Sequence, residues 1–563
     1  MSLCLIFLQS PDVRKDERKM CKNIIIITIS LLLSITGCSI HTGKAVKPIE
    51  TKIDETKLKE LADQTAQSQY DKNLLDWKPA KISRELHSTW EKGQEADPNS
   101  MMGKNFTPTQ YKLYDEGRFY FDDGNYDMAI YNWNELVRLK PDSSAMYYNL
   151  GLAYYRKGSL NEAENSFKKA IELYPNNADA RINLGLVYSD KGMTQQAVEL
   201  FNDVISSTPE NPDLRINLAS AYFEAGLLDN ALVEFQNAVN AGSVSWDVRN
   251  VMGTIYYNKG MIDKSISEFE EAIRLKPDEG SIYYNLGIAY NKINKTDQAV
   301  KNLQKASKLT PNDSGIHFNL GYIYYSKDMM DEAIEEYNKA IRLVGNDAEA
   351  HYNLGLAYAS KGMTDKAIEE YKRSISLKPM VQAYISLGIC YGNKKMMDDQ
   401  INTLKKAIEL DPNSYPAQYN LGLAYCDKRE FQNAVTYLQK AIVIRPDSVD
   451  AHNNLGFAYS GLSLFDNAIV EFKKTLELRP SLIEAYINLG YAYSKAGMME
   501  QSKDILKRAI IISPYSVMAH YNLGSIYATT GDYKEARKEF QKVLEIEPGN
   551  SVAKQMMEKL TGR

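Results

Sequence analysis

Five cysteines, four tryptophans and six histidines among 563 residues leave little material for metal or thiol chemistry. Five cysteines are too few for a disulfide framework, and two of them, Cys4 and Cys21, fall in or before a targeting segment. Cys390 and Cys426 take different helical positions, which predicts two buried thiols rather than a bridge. No zinc-ligand spacing, phosphate-cradling glycine loop or nucleophile elbow occurs. The sequence therefore offers no catalytic residue, no metal site and no cofactor. A basic excess is missing too. The formal charge is −5, and removing residues 1–37, with five basic and three acidic side chains, leaves −7. Nucleic-acid binders need a basic stripe to neutralise phosphates, so nucleic acid is excluded as a partner. The apolar run Ile24–Leu33 is too short to cross a bilayer as a helix, which takes about 20 residues.

What the chain has in abundance is tyrosine on a beat. Tyr120, Tyr154, Tyr188, Tyr222, Tyr256, Tyr290, Tyr324, Tyr358, Tyr391, Tyr425, Tyr459, Tyr493 and Tyr527 recur almost every 34 residues. Three residues before each stands glycine: Gly117, Gly151, Gly185, Gly253, Gly287, Gly321, Gly355, Gly388, Gly422, Gly456, Gly490 and Gly524, with Ala219 as the one exception. A fixed period of this length predicts a stack of supersecondary units, each too small to bury its own apolar face. These units are numbered repeats 1–13 below. In repeat 2, Tyr147, Leu150, Gly151 and Tyr154 share one helical face. Lys157-Gly158 closes that helix with a cation and a left-handed glycine. Ala163, Phe167 and Ala170 form the inward face of a second helix, which Pro175 stops. Alanine fills the Ala163 position in ten repeats and proline the Pro175 position in eleven.

These residues resemble the tetratricopeptide repeat, a 34-residue helix–turn–helix, over about 440 residues. The resemblance implies an all-α, right-handed superhelical solenoid whose first helices line a concave, peptide-binding face. The repeats are expected over 106–550, opened by the Thr107-Pro108 cap, with a C-terminal capping helix over 551–563 that shows Lys554, Gln555, Glu558 and Lys559 to solvent.

The N-terminus has a different character. A basic start, a short apolar core and small residues before a cut mark a signal peptide over 1–37, with Met20 a plausible true start. Ile35-Thr36-Gly37-Cys38 resembles a lipobox, which implies acylation of Cys38. With Ser39 next, it implies sorting to the outer membrane, facing the periplasm, in a Gram-negative cell. Residues 38–105, poor in apolar side chains, read as a flexible tether.

Helical geometry then sorts the first helices by row. Two residues before the glycine lies an asparagine column: Asn149, Asn183, Asn217, Asn285, Asn319, Asn353, Asn420, Asn454, Asn488 and Asn522. An amide donates and accepts, so the column either holds an extended peptide by its backbone, as in the similar superhelix of O-linked N-acetylglucosamine transferase, or bridges neighbouring helices. Flanking rows such as Tyr148, Ile182 and Phe318, or Leu152, Leu186 and Tyr322, predict an apolar groove at their outer edges. Val251 and Ser386 interrupt the column. A residue is missing after Pro379 and Gln400 replaces the small contact residue, which predicts a weakened or re-angled seam at 379–400. His317, His351, His452 and His520 occupy one row in successive layers, which predicts core packing. Met193, Met261, Met329, Met363, Met396 and Met498 read as gap fillers after the turn.

The expectation is a membrane-anchored scaffold that is not an enzyme and that binds proteins or extended peptide segments. By resemblance to tetratricopeptide lipoproteins, its place is in assembly of an envelope, secretion, pilus or polysaccharide-export complex. The alternatives are a cytoplasmic scaffold whose apolar start is uncleaved or not its true start, and a glycan-related or glycosyltransferase-like protein.

Overall fold

The computed structural model describes residues 107–207 and 211–561. Cys38, the signal segment and the tether lie outside the described residues. Within them the chain forms 27 helices and no strand. Each repeat is a first helix and a second helix packed against each other, and each second helix then packs on the next first helix within its unit.

Local chemistry sets the ends. Thr107 accepts from the Gln110 amide while the Gln110 side chain accepts from the Thr107 amide, a reciprocal cap that opens Pro108–Asp122. The helix Ser144–Lys157 stops at Gly158, whose φ of 83° is left-handed. The same turn is left-handed in every repeat. Glycine takes it in eight repeats, whereas Asn294, Asp328, Lys395, Arg429 and Ser463 take it with φ of 58–63°.

The glycine row exists because the helices touch there. A Cβ on Gly151 would lie 2.5 Å from the Phe167 ring, and one on Gly456 2.7 Å from Phe472. Those rings are buried at the centre of their repeats. The tyrosine row seals the junction between repeats. Asn134 donates to the Tyr154 hydroxyl at 3.3 Å, and Gln304 and Gln439 donate to Tyr324 and Tyr459 at 2.9 Å. Elsewhere the same position supplies a cation over the ring, with Lys168 5.7 Å from the Tyr188 centroid. A rung of ion pairs runs outside: Lys157–Asp127 and Lys327–Asp297 at 2.6 Å, and Lys428–Asp398 at 3.1 Å.

The described chain divides into two compact units, repeats 1–8 (107–379) and repeats 9–13 with the closing helix Ser551–Thr561 (380–561). The division falls where the sequence drops its residue after Pro379. Gln400 is buried rather than turned outward. Its amide lies across Gly392, where a Cβ would come within 2.7 Å, and its Oε1 has no hydrogen-bond partner. The closing helix buries Ala553 and Leu560, exposes Lys554, Gln555, Glu558 and Lys559, and is tied down by Arg537 donating to the Leu560 carbonyl at 2.8 Å.

The methionine row corrects one expectation in part. Met261, Met363, Met396 and Met498 are 38–43% exposed and sit at the N-caps of second helices, so they fill no gap. Met193 does pack, half-buried, against the core of repeats 2–4. Cys390 and Cys426 are free and buried, and burial pushes both thiols up to about 12, leaving them unreactive. No helix among the described residues is long and apolar enough to cross a membrane.

Candidate functional site

Successive first helices touch one another at several junctions within each unit, whereas second helices are held farther apart. The first helices therefore line one face of each unit. The asparagine column runs along it, mostly buried, with Asn420 and Asn522 half-buried.

Five of these amides reach back to the preceding repeat or are shared with it. Asn183 donates to the Tyr148 hydroxyl at 3.1 Å, Asn319 to Tyr284 at 2.9 Å and Asn454 to Tyr419 at 3.2 Å. Asn285 and Asn488 donate to the side chains of Asn250 and Asn453 at 3.0 and 3.4 Å. In each case the acceptor lies three residues before the preceding glycine. Before Asn353 and Asn420 that position holds phenylalanine or isoleucine, and the amide donates only to a carbonyl four residues back in its own helix, at 2.9 and 2.8 Å. Before Asn522 it holds Ile487, and the Asn522 amide nitrogen is buried without a hydrogen-bond partner. This covariation between two rows is the geometry of a bridge between helices. Burial, the largest cause, holds the Tyr148, Tyr284 and Tyr419 hydroxyls well above the usual tyrosine range, so they stay neutral acceptors. The Oδ1 atoms of Asn285 and Asn319 are buried without a hydrogen-bond partner. Asn149 and Asn217 are buried.

The flanking rows are divided between packing and surface. Tyr148, Ile182, Phe318, Tyr352, Leu152, Leu186 and Leu356 are buried, at most 5% exposed. Tyr148, Phe318 and Tyr352 pack against the second-helix rings of Phe167, Tyr337 and Tyr371. Ile216, Tyr284, Tyr322, Phe457, Tyr491 and Tyr521 stay half-buried, so part of the expected apolar edge remains.

What faces solvent is a row that sequence inspection passed over, five residues after the glycine. Arg156, Asp190, Glu224, Asn258, Lys292, Ser360, Asn393, Asp427, Lys495 and Thr529 are exposed there. The position just before it ties some repeats to the next: Tyr155 donates to Asp190 at 2.6 Å, Ser189 donates to Glu224 at 2.9 Å, and the Tyr325 and Ser360 hydroxyls lie 3.3 Å apart. The signal was available as variability, since the glycine, tyrosine and alanine rows repeat one residue type while this row takes every charge.

The histidine row is buried, as expected of core, and it is also paired. His317, His351, His452 and His520 each place Nδ1 2.6 Å from a glutamate nineteen residues on: Glu336, Glu370, Glu471 and Glu539. Among the described residues no group of histidine, cysteine and carboxylate side chains could hold a metal ion.

The fold defines an all-α repeat solenoid. Models described as TPR repeat match residues 117–158, 253–294, 289–328, 322–362 and 424–463, and models described as tetratricopeptide repeat match 142–210, 188–243, 348–380, 381–414, 449–482, 483–515 and 517–550. The chain belongs to the tetratricopeptide repeat family, and as such it is a protein–protein interaction scaffold. No curated protein matches it. Among solved structures it is similar to the APC/C hetero-tetramer Cut9-Hcn1 (14% identity, 81% of this chain and 96% of that one, TM-score 0.36). It is also similar to YrrB, described as a TPR protein with an unusual peptide-binding site (24% identity, 33% and 97%, TM-score 0.32), and to MamA (31% identity, 30% and 92%, TM-score 0.29).

Proposed function

We propose that this protein is a lipid-anchored scaffold of the bacterial cell envelope that captures a polypeptide segment or partner subunit along the face of its first helices. The observation that carries this reading is the exposed row five residues after the glycine. It changes charge from repeat to repeat while the glycine, tyrosine and alanine rows stay nearly constant, which is how a stack tells partners apart without altering its fold. Each repeat contributes one weak contact, and many in series give avidity. The asparagines serve chiefly as the framework beneath, with the half-buried Asn420 and Asn522 the members best placed to reach a bound chain.

The anchor rests on the sequence Ile35-Thr36-Gly37-Cys38 behind its apolar core. A diacylglyceryl group plus a further acyl chain on Cys38 would hold the membrane stably, where one chain would not. Assembly of a secretion, pilus or polysaccharide-export complex is the process this arrangement suits. Radiolabelled palmitate is expected to enter the wild type and not Cys38→Ala; equal labelling of both removes the anchor from the proposal. Crosslinking in membranes is expected to lose partners on Arg156→Glu/Lys292→Glu, and an unchanged set removes the role given to the exposed row.

A further inference from the structure

Four residues before the glycine, the first helix carries a side chain that can reach two acceptors. In repeats 4 and 5 it is Arg215 and Arg249, paired with Glu234 at 2.9 Å and Glu268 at 2.8 Å. In repeats 6, 10 and 12 it is Tyr283, Gln418 and Tyr486, which donate instead to the carbonyls of Pro277, Pro412 and Pro480 at 2.9–3.1 Å. The histidines of repeats 7, 11 and 13 do both. Beyond Nδ1 on the glutamate, Nε2 lies 3.2, 3.0 and 3.0 Å from the carbonyls of Pro311, Pro446 and Pro514 in His317, His452 and His520.

A carboxylate and a carbonyl both accept, and a neutral imidazole has only one N–H to give. Two buried acceptors on one ring therefore call for two protons. We infer that the pairs His317–Glu336, His452–Glu471 and His520–Glu539 each hold one proton more than a neutral imidazole beside an ionised carboxylate. These three repeats then take up protons as they fold and loosen as pH rises. Arg215 and Arg249 are the permanent version of the same device, with a fixed cation on the same glutamate position.

The other charged and titratable groups around these pairs sit on the glutamate side. Lys339 lies 2.8 Å from the second oxygen of Glu336, Tyr459 faces Glu471, and Lys542 with Tyr515 lies near Glu539. The fourth histidine is the internal control. His351 meets Glu370, but Gly345 stands where the others have proline, and its Nε2 is buried without a hydrogen-bond partner. One acceptor needs one N–H, so this pair holds no extra proton.

The sign follows from linkage. A proton bound in the folded state and absent from an unfolded histidine above about 6.5 gives stability that is complete below that pH and is lost above it. Hydrogen exchange on the full chain at about pH 6 and about pH 8.5, corrected for intrinsic rates, reads this directly. Protection of Met330–Leu343, Phe465–Leu478 and Tyr533–Ile546 is expected to fall about tenfold, while Thr364–Leu377 beside His351 and Leu228–Asn240 beside Arg215 hold theirs. His317→Arg/His452→Arg/His520→Arg is expected to abolish the fall. Equal losses in all five helices, or a fall that survives in the arginine variant, overturn the inference. Should that variant fail to fold, ring-nitrogen and carboxyl-carbon NMR of the wild type near pH 7.5 decides: a doubly protonated ring or a protonated glutamate in the three pairs and neither in His351–Glu370 support it, and four neutral rings beside four ionised carboxylates sink it.

Discussion

Across residues 107–379, 29 basic side chains stand against 38 acidic ones, while residues 380–563 hold 22 against 20. The acidity of the chain thus belongs to repeats 1–8, although both units bury the same rows. Their turns differ as well. In repeats 1–8 the left-handed position is filled by glycine or by Asn294 and Asp328, types that tolerate it. Three successive turns in the other unit use Lys395, Arg429 and Ser463 there, with φ of 60–63°. A lysine or arginine in that conformation costs about 1–2 kcal/mol. Core rows are shared because every junction poses the same packing problem. Charge and turn strain are free to diverge because each is local to one repeat.

The largest way to break the comparison is through the core. Phe472→Ala is expected to cost about 3–5 kcal/mol of local stability, seen as lost hydrogen-exchange protection within 380–561 while 107–379 is spared. Phe269→Ala should do the reverse, and losses spreading through both units would show that they do not unfold separately. The seam expected from the sequence at 379–400 is checked in the same experiment, as a dip in protection there.

Next comes the asparagine bridge. Asn319→Ala removes donors from Tyr284 and from the Gly315 carbonyl and is expected to cost about 1–2 kcal/mol. Asn353→Ala, which donates only to its own helix, should cost less. A double-mutant cycle of Asn319→Ala with Tyr284→Phe should return coupling, and zero coupling would leave the bridge without energetic weight.

Smaller and opposite in sign is Arg429→Gly. Relief of the left-handed strain, partly offset by the greater freedom of glycine in the unfolded chain, should stabilise repeat 10 by about 0.5–1 kcal/mol. Asn294→Gly should change little. Smallest is Lys327→Ala, whose Asp297 partner is open to water; thermal unfolding should not shift measurably.

The periodic part of the molecule was legible in the sequence. Glycine, tyrosine, alanine and proline recur because each answers a contact that recurs, such as Gly151 against Phe167. The bond partners were not legible in the same way. Asn319 and Tyr284 stand 35 residues apart, and His317 and Glu336 nineteen, distances that mean nothing until the stack is assembled. The flanking rows divide into buried members such as Tyr352 and half-buried ones such as Tyr322, because helical periodicity gives the direction of a side chain but not what lies over it. Gln400 looked anomalous for a related reason: its space comes from Gly392, eight residues earlier.

The central claim is that the exposed row five after the glycine selects partners while the asparagine column holds the stack. Crosslinking in membranes tests it most directly, comparing Arg156→Glu/Lys292→Glu with Asn319→Ala/Asn353→Ala and recording hydrogen exchange on both. The account predicts that the charge reversal changes the partners and leaves protection intact, whereas the asparagine pair keeps the partners and loses protection. Partners lost from the asparagine variant at unchanged protection would contradict it and make the column the binding site.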